Sequence, residues 1–179
     1  MSIEPIVAVE ALTRVFRRRG APDLTALDAM TFRIAPGESV GYIGANGAGK
    51  STTIKMLTGI LAPTSGTART IGLDPMRERR ELARRVGVVF GQRSQLWWDL
   101  PLRESFDILA AIHRIDPQRA ARRIARLVDL LDLGPTLEQP VRSLSLGQRM
   151  RAEVAAALLH DPELVILDEP TIGLDVLSK

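Results

Sequence analysis

The first forty residues alternate short apolar runs with turn-forming residues, which is the pattern of strands separated by loops. Ile6-Val7-Ala8-Val9, the stretch from Leu24 to Ile34, and Ser39 to Ile43 after Pro36-Gly37-Glu38 read as strands, the last of them buried and ending at Gly44. Arg17-Arg18-Arg19-Gly20 and Ala21-Pro22-Asp23 read as a solvated hairpin tip between the first two. From Lys50 to Thr58 the pattern is helical and Gly59 stops it, with Pro63-Thr64-Ser65-Gly66 as the next turn. Asp74-Pro75 is expected to open a short Arg-rich helix, and Val86-Gly87-Val88-Val89-Phe90 to form another buried strand.

The middle of the chain changes character, because from Pro101 to Gly134 almost no strand signal remains. Asp116-Pro117 supplies a cap and a first-turn proline, after which Ala120, Ile124, Leu127, Val128 and Leu131 form one apolar stripe ending at Gly134-Pro135. A last helix is expected from about Gln148 to Leu159, with Met150, Val154, Ala157 and Leu158 on one face, followed by a buried strand Leu164-Val165-Ile166-Leu167. Strand, loop, helix and later buried strands make the α/β pattern, with the helical stretch, approximately 96–150, as an inserted subdomain.

Composition narrows the function classes. The 179 residues are 45% apolar, enough for one domain with a real core. The net charge of +3 is too small for the concentrated basic face of a nucleic-acid binder, so none is expected as a partner. Cysteine is absent, which excludes disulfides, thiolate metal sites and cysteine nucleophiles. Met1 to Glu10 lacks the basic segment and apolar core of a secretory signal, and no stretch approaches the ~18 apolar residues of a membrane span. Any membrane role is therefore expected to come through a partner chain.

Three motifs carry candidate chemistry. Gly44-Ala45-Asn46-Gly47-Ala48-Gly49-Lys50-Ser51 fits G-x-x-x-x-G-K-[ST], between an expected strand and an expected helix. Glycines there allow the backbone to turn successive amides inward, and the helix start adds partial positive charge, so the loop suits phosphate. Lys50 is expected to reach the β- and γ-phosphates of ATP, the Ser51 hydroxyl to ligate Mg²⁺, and Thr52 to complete the binding run. Val165-Ile166-Leu167-Asp168-Glu169 delivers carboxylates at the exposed end of a strand, with Asp168 expected to hold Mg²⁺ and Glu169 to polarise an attacking water as general base. Leu144-Ser145-Leu146-Gly147-Gln148 opens a helix with a hydroxyl beside helix-start amides, the makings of a second anion site. Phe16, upstream of the phosphate loop, is the candidate ring for stacking on adenine.

The order of phosphate loop, Gln92, Leu-Ser-x-Gly-Gln, and Val-Ile-Leu-Asp-Glu-Pro followed by Gly173-Leu174-Asp175 resembles the cassette of the ATP-binding cassette (ABC) ATPases, across nearly the whole chain. The resemblance implies an α/β P-loop NTPase fold of the ABC type, with a β-rich N-terminal part, a RecA-like core and an inserted helical subdomain, 1–179 forming one nucleotide-binding domain. It implies a head-to-tail dimer with a second ATP-binding subunit, in which Ser145, Gly147 and Gln148 meet the nucleotide of the partner. Gln92 resembles the Q-loop glutamine that senses Mg²⁺ or the attacking water, and Asp175 the D-loop aspartate joining the two sites.

Position 146 is Leu where the family usually has Gly, a change expected to be tolerated unless φ must be positive. Trp97 and Trp98 follow Gln92 where the family docks the coupling helix of a membrane permease, and such rings are typical interface anchors. The phosphate-loop and post-Gln92 segments are similar to ATPases of ABC-2 type export systems. That implies an ATP-hydrolysing subunit peripheral to the cytoplasmic side of a cell membrane, energising export through a separate permease, with a soluble regulatory ATPase as the alternative. Family members continue beyond the D-loop to a switch histidine, whereas His113 and His160 precede Asp168 and do not match it. The cassette therefore reads as C-terminally incomplete and poorly hydrolytic by itself.

Overall fold

The computed structural model describes residues 4–91 and 93–168, so Gln92, Glu169 and Asp175 lie outside the described residues. The chain divides into two compact units, Met1–Ala83 and Arg84–Lys179.

In the first unit β1 (Val7–Phe16) pairs antiparallel with β2 (Leu24–Ile34) and with β3 (Ser65–Thr70), in the order β2-β1-β3. Val7, Val9 and Leu12 are fully buried although their spacing breaks strict alternation. An extra residue of β1 between Val9 and Leu12 explains it, since Val9 faces Phe32 while Leu12 faces Met30. The bulge returns the next apolar side chain to the core face. Helix α1 (Lys50–Leu57) buries Thr53, Ile54, Met56 and Leu57 and stops where Gly59 takes a positive φ of 70°.

Three sequence expectations for this unit need correction. Ser39 to Ile43 is neither a strand nor buried: Val40 and Tyr42 are exposed and Ile43 is 92% exposed. Its composition is strand-like, but a strand also needs a lateral partner, and none among the described residues pairs with it. Ser65-Gly66, read as a turn, instead begins β3, a mostly exposed edge strand with too few apolar residues to announce itself. Asp74 opens a turn, its carboxylate accepting from Met76 N (2.9 Å) and Arg77 N (3.1 Å), and helix α2 (Arg79–Arg85) starts only after it.

In the second unit β4 (Val86–Phe90) and β5 (Leu164–Asp168) pair in parallel, from Val86 opposite Leu164 to Phe90 opposite Asp168. Helices α3 (Leu102–Ile112), α4 (Pro117–Leu130) and α5 (Leu146–Leu158) enclose a core that includes Leu102, Phe106, Ile124, Leu127, Leu133, Val141 and Ala155. Asp116 caps α4 as expected, its side chain accepting from Arg119 N at 3.0 Å with Pro117 in the first turn. Gly87 lets α5 lie directly on β4, because a Cβ there would sit 2.2 Å from the Ala157 carbonyl oxygen. β5 is not the buried strand its composition suggested. Val165 and Leu167 are 38% and 43% exposed, since the described residues of this unit cover only one face of the two-stranded ladder.

Candidate functional site

The phosphate loop is built by backbone conformation. Gly47 and Gly49 have φ of 84° and 81°, the left-handed region that a side chain disfavours. At Gly49 the constraint is double, because a Cβ would also lie 2.3 Å from the Ala26 carbonyl oxygen. At Gly47 a Cβ would meet nothing within 4 Å, so the glycine keeps open the space in front of the loop. Gly49 is the N-cap of α1 and no side chain caps that helix. The first bond of the helix runs from Thr53 N to Gly49 O at 2.8 Å, which leaves first-turn amides outside the helix's own ladder.

Lys50 folds back over the loop, its ammonium donating to Gly44 O at 2.6 Å and Ala45 O at 2.9 Å. The charge thus stands at the loop's own carbonyls rather than in solvent. Ala48 N donates to Ala45 O at 3.1 Å and tightens the turn through Asn46. Ser51 and Thr52 occupy the first turn of α1, half-buried. Thr53, buried beneath them, donates its hydroxyl to Gly49 O at 3.0 Å and lies 3.4 Å from the Tyr42 hydroxyl. Phe16 ends β1, half-buried, with the Arg14 guanidinium 4.6 Å from its ring centroid, so one ring face is already taken by a cation.

In the second unit the signature turn is built by side chains. Ser145 is the N-cap of α5, its Oγ accepting from Gln148 N at 3.2 Å while Gln148 Oε1 accepts from Ser145 N at 2.8 Å. This reciprocal capping box commits the Gln148 carboxamide oxygen to the turn and leaves the Ser145 hydroxyl proton able to point outward. Ser145 and Leu146 are exposed and Gly147 is half-buried. Leu146 lies inside the right-handed helix and is not among the residues with positive φ, so this backbone makes no demand for glycine there.

Asp168 is the last residue of β5, half-buried, opposite Phe90, and its backbone oxygen accepts from Gly91 N at 3.0 Å. Trp97 and Trp98 are both exposed, and the Arg149 guanidinium stands 5.4 Å from the Trp98 ring centroid. The histidines that motif order set aside are stacked on each other at 4.1 Å and 6°. Burial, then the neighbouring His113, pushes His160 down to about 4, so this pair offers no cation at neutral pH.

Sequence reading missed Glu153. It lies in α5 only 5% exposed, with its carboxylate accepting from Ser94 Oγ and from Gln95 N. Burial pushes its pKa up, against the hydrogen bonds of Ser94 and Gln95 and the charge of Arg149. The available signal was a glutamate between Ala152 and Ala155-Ala156 in an otherwise apolar stretch.

The Ser51 hydroxyl in the first unit and the Asp168 carboxylate in the second are each the kind of oxygen donor that magnesium takes. Hydroxyl and carboxylate oxygens are hard ligands, and among the described residues no cluster of three His, Cys, Asp or Glu forms a closed cage.

Comparison with known proteins agrees with this geometry. Residues 27–172 match the ABC transporter family model. Over 153 residues the chain is 37% identical to the daunorubicin resistance ATP-binding protein DrrA3 of Streptomyces coeruleorubidus, covering 86% of this chain and 48% of that protein. Over 156 residues it is 40% identical to the Nod factor export ATP-binding protein I of Paraburkholderia xenovorans (strain LB400), covering 87% and 51% respectively. The chain thus spans about half the length of these relatives. Among solved structures, a dimeric ATP-binding cassette in a post-hydrolysis state with ADP and Pi superimposes with a TM-score of 0.83 at 25% identity, over 96% of this chain and 77% of that one.

Proposed function

Because this chain belongs to the ABC transporter family of ATP-binding proteins, we propose that it is the ATP-binding and ATP-hydrolysing part of an export system whose membrane permease is a separate chain. The observation that carries this reading is the phosphate loop, where two left-handed glycines and an uncapped helix start surround an ammonium. The names of the relatives in Streptomyces and Paraburkholderia, a resistance and an export ATP-binding protein, support export.

Bound ATP with magnesium supplies the phosphoanhydride whose cleavage would drive transport. The chain's own residues would do the rest. Amides of the loop from Gly44 to Thr52, Ala48 N excepted because it closes the turn onto Ala45 O, would hold phosphate oxygens, and Lys50 would release its two carbonyls to neutralise them. Ser51, Asp168 and Gln92 would supply oxygens to the metal, Glu169 would take a proton from water, and Phe16 would offer its open face to adenine. Ser145 and Gly147 would donate to the nucleotide of a second subunit, with Gln148 holding that turn in shape and Asp175 bridging the dimer. Among the described residues no helix is long and apolar enough to cross a membrane. Trp97 and Trp98, both exposed, would seat the permease and so hold the protein at the cytoplasmic face.

The test uses the product of the full reading frame. Lys50→Ala should weaken binding of a labelled ATP analogue at least ~10-fold, the scale of a lost charge-assisted hydrogen bond, and unchanged affinity would sink the assignment. Purification from membranes should bring down a multi-span partner, and replacing Trp97 and Trp98 together by Ala should release it while ATP binding stays.

A further inference from the structure

Helix α5 breaks its own composition at one place. Ala152, Ala155, Ala156 and Ala157 pack it closely, yet Glu153 is as deeply buried as they are. A carboxylate taken from water is costly unless donors meet its oxygens, and here both oxygens are met from a single neighbouring segment. Ser94 Oγ donates to Oε1, and Gln95 N donates to Oε2 at 3.1 Å. Ser94 Oγ also accepts from Leu96 N at 3.1 Å, which folds the segment around the contact.

The same few residues are held by two further elements. The Gln95 side chain donates to Val88 O of β4 at 2.7 Å, and Trp97 N donates to the fully buried Ser105 Oγ of α3 at 3.2 Å. Across position 92 Arg93 N donates to Phe90 O, and before it Gly91 N donates to Asp168 O, both at 3.0 Å. The chain on either side of Gln92 is thus fastened at its start to the Asp168 strand end and just after it to the signature helix. Of these hydrogen bonds only those of Glu153 reach α5, beside the packing of Leu96 on its alanines and of Arg149 on Trp98, and they bring a charge-capable acceptor, the stronger kind.

We infer that Glu153 is a positioning residue that ties the signature helix to the segment following Gln92, so that a displacement of the Ser145 turn is carried to that segment. The inference rests on the ATPase reading above. The phosphate loop is built wholly from residues of the first unit and owes nothing to this tie. Loss of the tie is therefore expected in turnover and not in nucleotide affinity.

The experiment takes the product of the full reading frame and measures affinity for a labelled ATP analogue, steady-state kcat, melting temperature and amide hydrogen exchange. Glu153→Ala should lower kcat at least ~10-fold with affinity kept within ~2-fold, the split of a residue acting only on the chemical step. Exchange should quicken at the amides of Gln95 to Trp97 while α5 stays protected. Glu153→Gln should restore most of the kcat, because its amide oxygen can accept from Gln95 N and its amide N–H can donate to Ser94 Oγ. Should Glu153→Ala not fold, Ser94→Ala removes one arm from an exposed position and should lower kcat ~3-fold, with no further loss when combined with Glu153→Gln. Loss of stability and affinity with kcat unchanged, or an unchanged kcat in Ser94→Ala, overturns the tie alone. A wild-type protein that neither binds nor hydrolyses ATP overturns the ATPase reading and this inference together.

Discussion

The two units each present a helix start suited to an anion, and they prepare it in opposite ways. At α1 the cap is Gly49 in a left-handed conformation with no side-chain cap, so the helix does not satisfy its leading amides from its own cap. At α5 the cap is Ser145, locked reciprocally to Gln148, so that helix satisfies itself first and offers a hydroxyl and the glycine behind it. The first site gives up helix stability to gain grip. The second keeps its stability, which suits the lighter, transient contact proposed for it.

Substitutions at the two starts should separate these strategies. Gly49→Ala attacks the first at its most constrained point, adding ~1–2 kcal/mol of left-handed strain to a clash with Ala26 O, for a total of ~3 kcal/mol or more. Melting temperature should fall and ATP-analogue binding be lost with it, and a protein that melts and binds normally would mean the glycine geometry is dispensable. Ser145→Ala should cost about 1 kcal/mol as a lost cap, and Ser145→Asp should recover that stability without recovering ATP hydrolysis. Recovery of both by Asp would make the serine only a cap and erase the contrast. Leu146→Gly should be the mildest, lowering stability by ~0.5–1 kcal/mol through backbone entropy and leaving hydrolysis unimproved, since position 146 is already helical. Faster turnover in that variant would show that a different backbone is needed at some point of the cycle.

The contrast also separates what the sequence could say from what it could not. The phosphate loop, the Asp116-Pro117 start of α4 and the Ser145 cap were readable because each depends on side chains and backbone within a few residues of one another. The segment Ser39 to Ile43, the edge strand β3 and the exposed face of β5 were misread because a strand is defined by its neighbour, and composition does not name the neighbour. Glu153 escaped for a similar reason. Its partners are 58 and 59 residues away along the chain, and only the fold brings Ser94 and Gln95 to it. Gln92 and Asp175 owe their proposed roles to motif order, a resemblance between sequences, and Glu169 to its place just after an apolar strand that ends in Asp168.

The bare contact at Gly87 has a mechanical consequence. Where side chains interleave between a helix and a sheet they act as a compliant layer, and the two can slide by small adjustments of rotamer. At Gly87 there is no such layer: the Ala157 oxygen occupies the place a Cβ would take and Pro162 lies beside it, while further along Val89 packs on Met150 and Val154 through side chains. The helix is thereby pinned against β4 at one point, as a lever is at its pivot. Motion of α5 against β4 is then expected as a turn about that point more than as a slide along it.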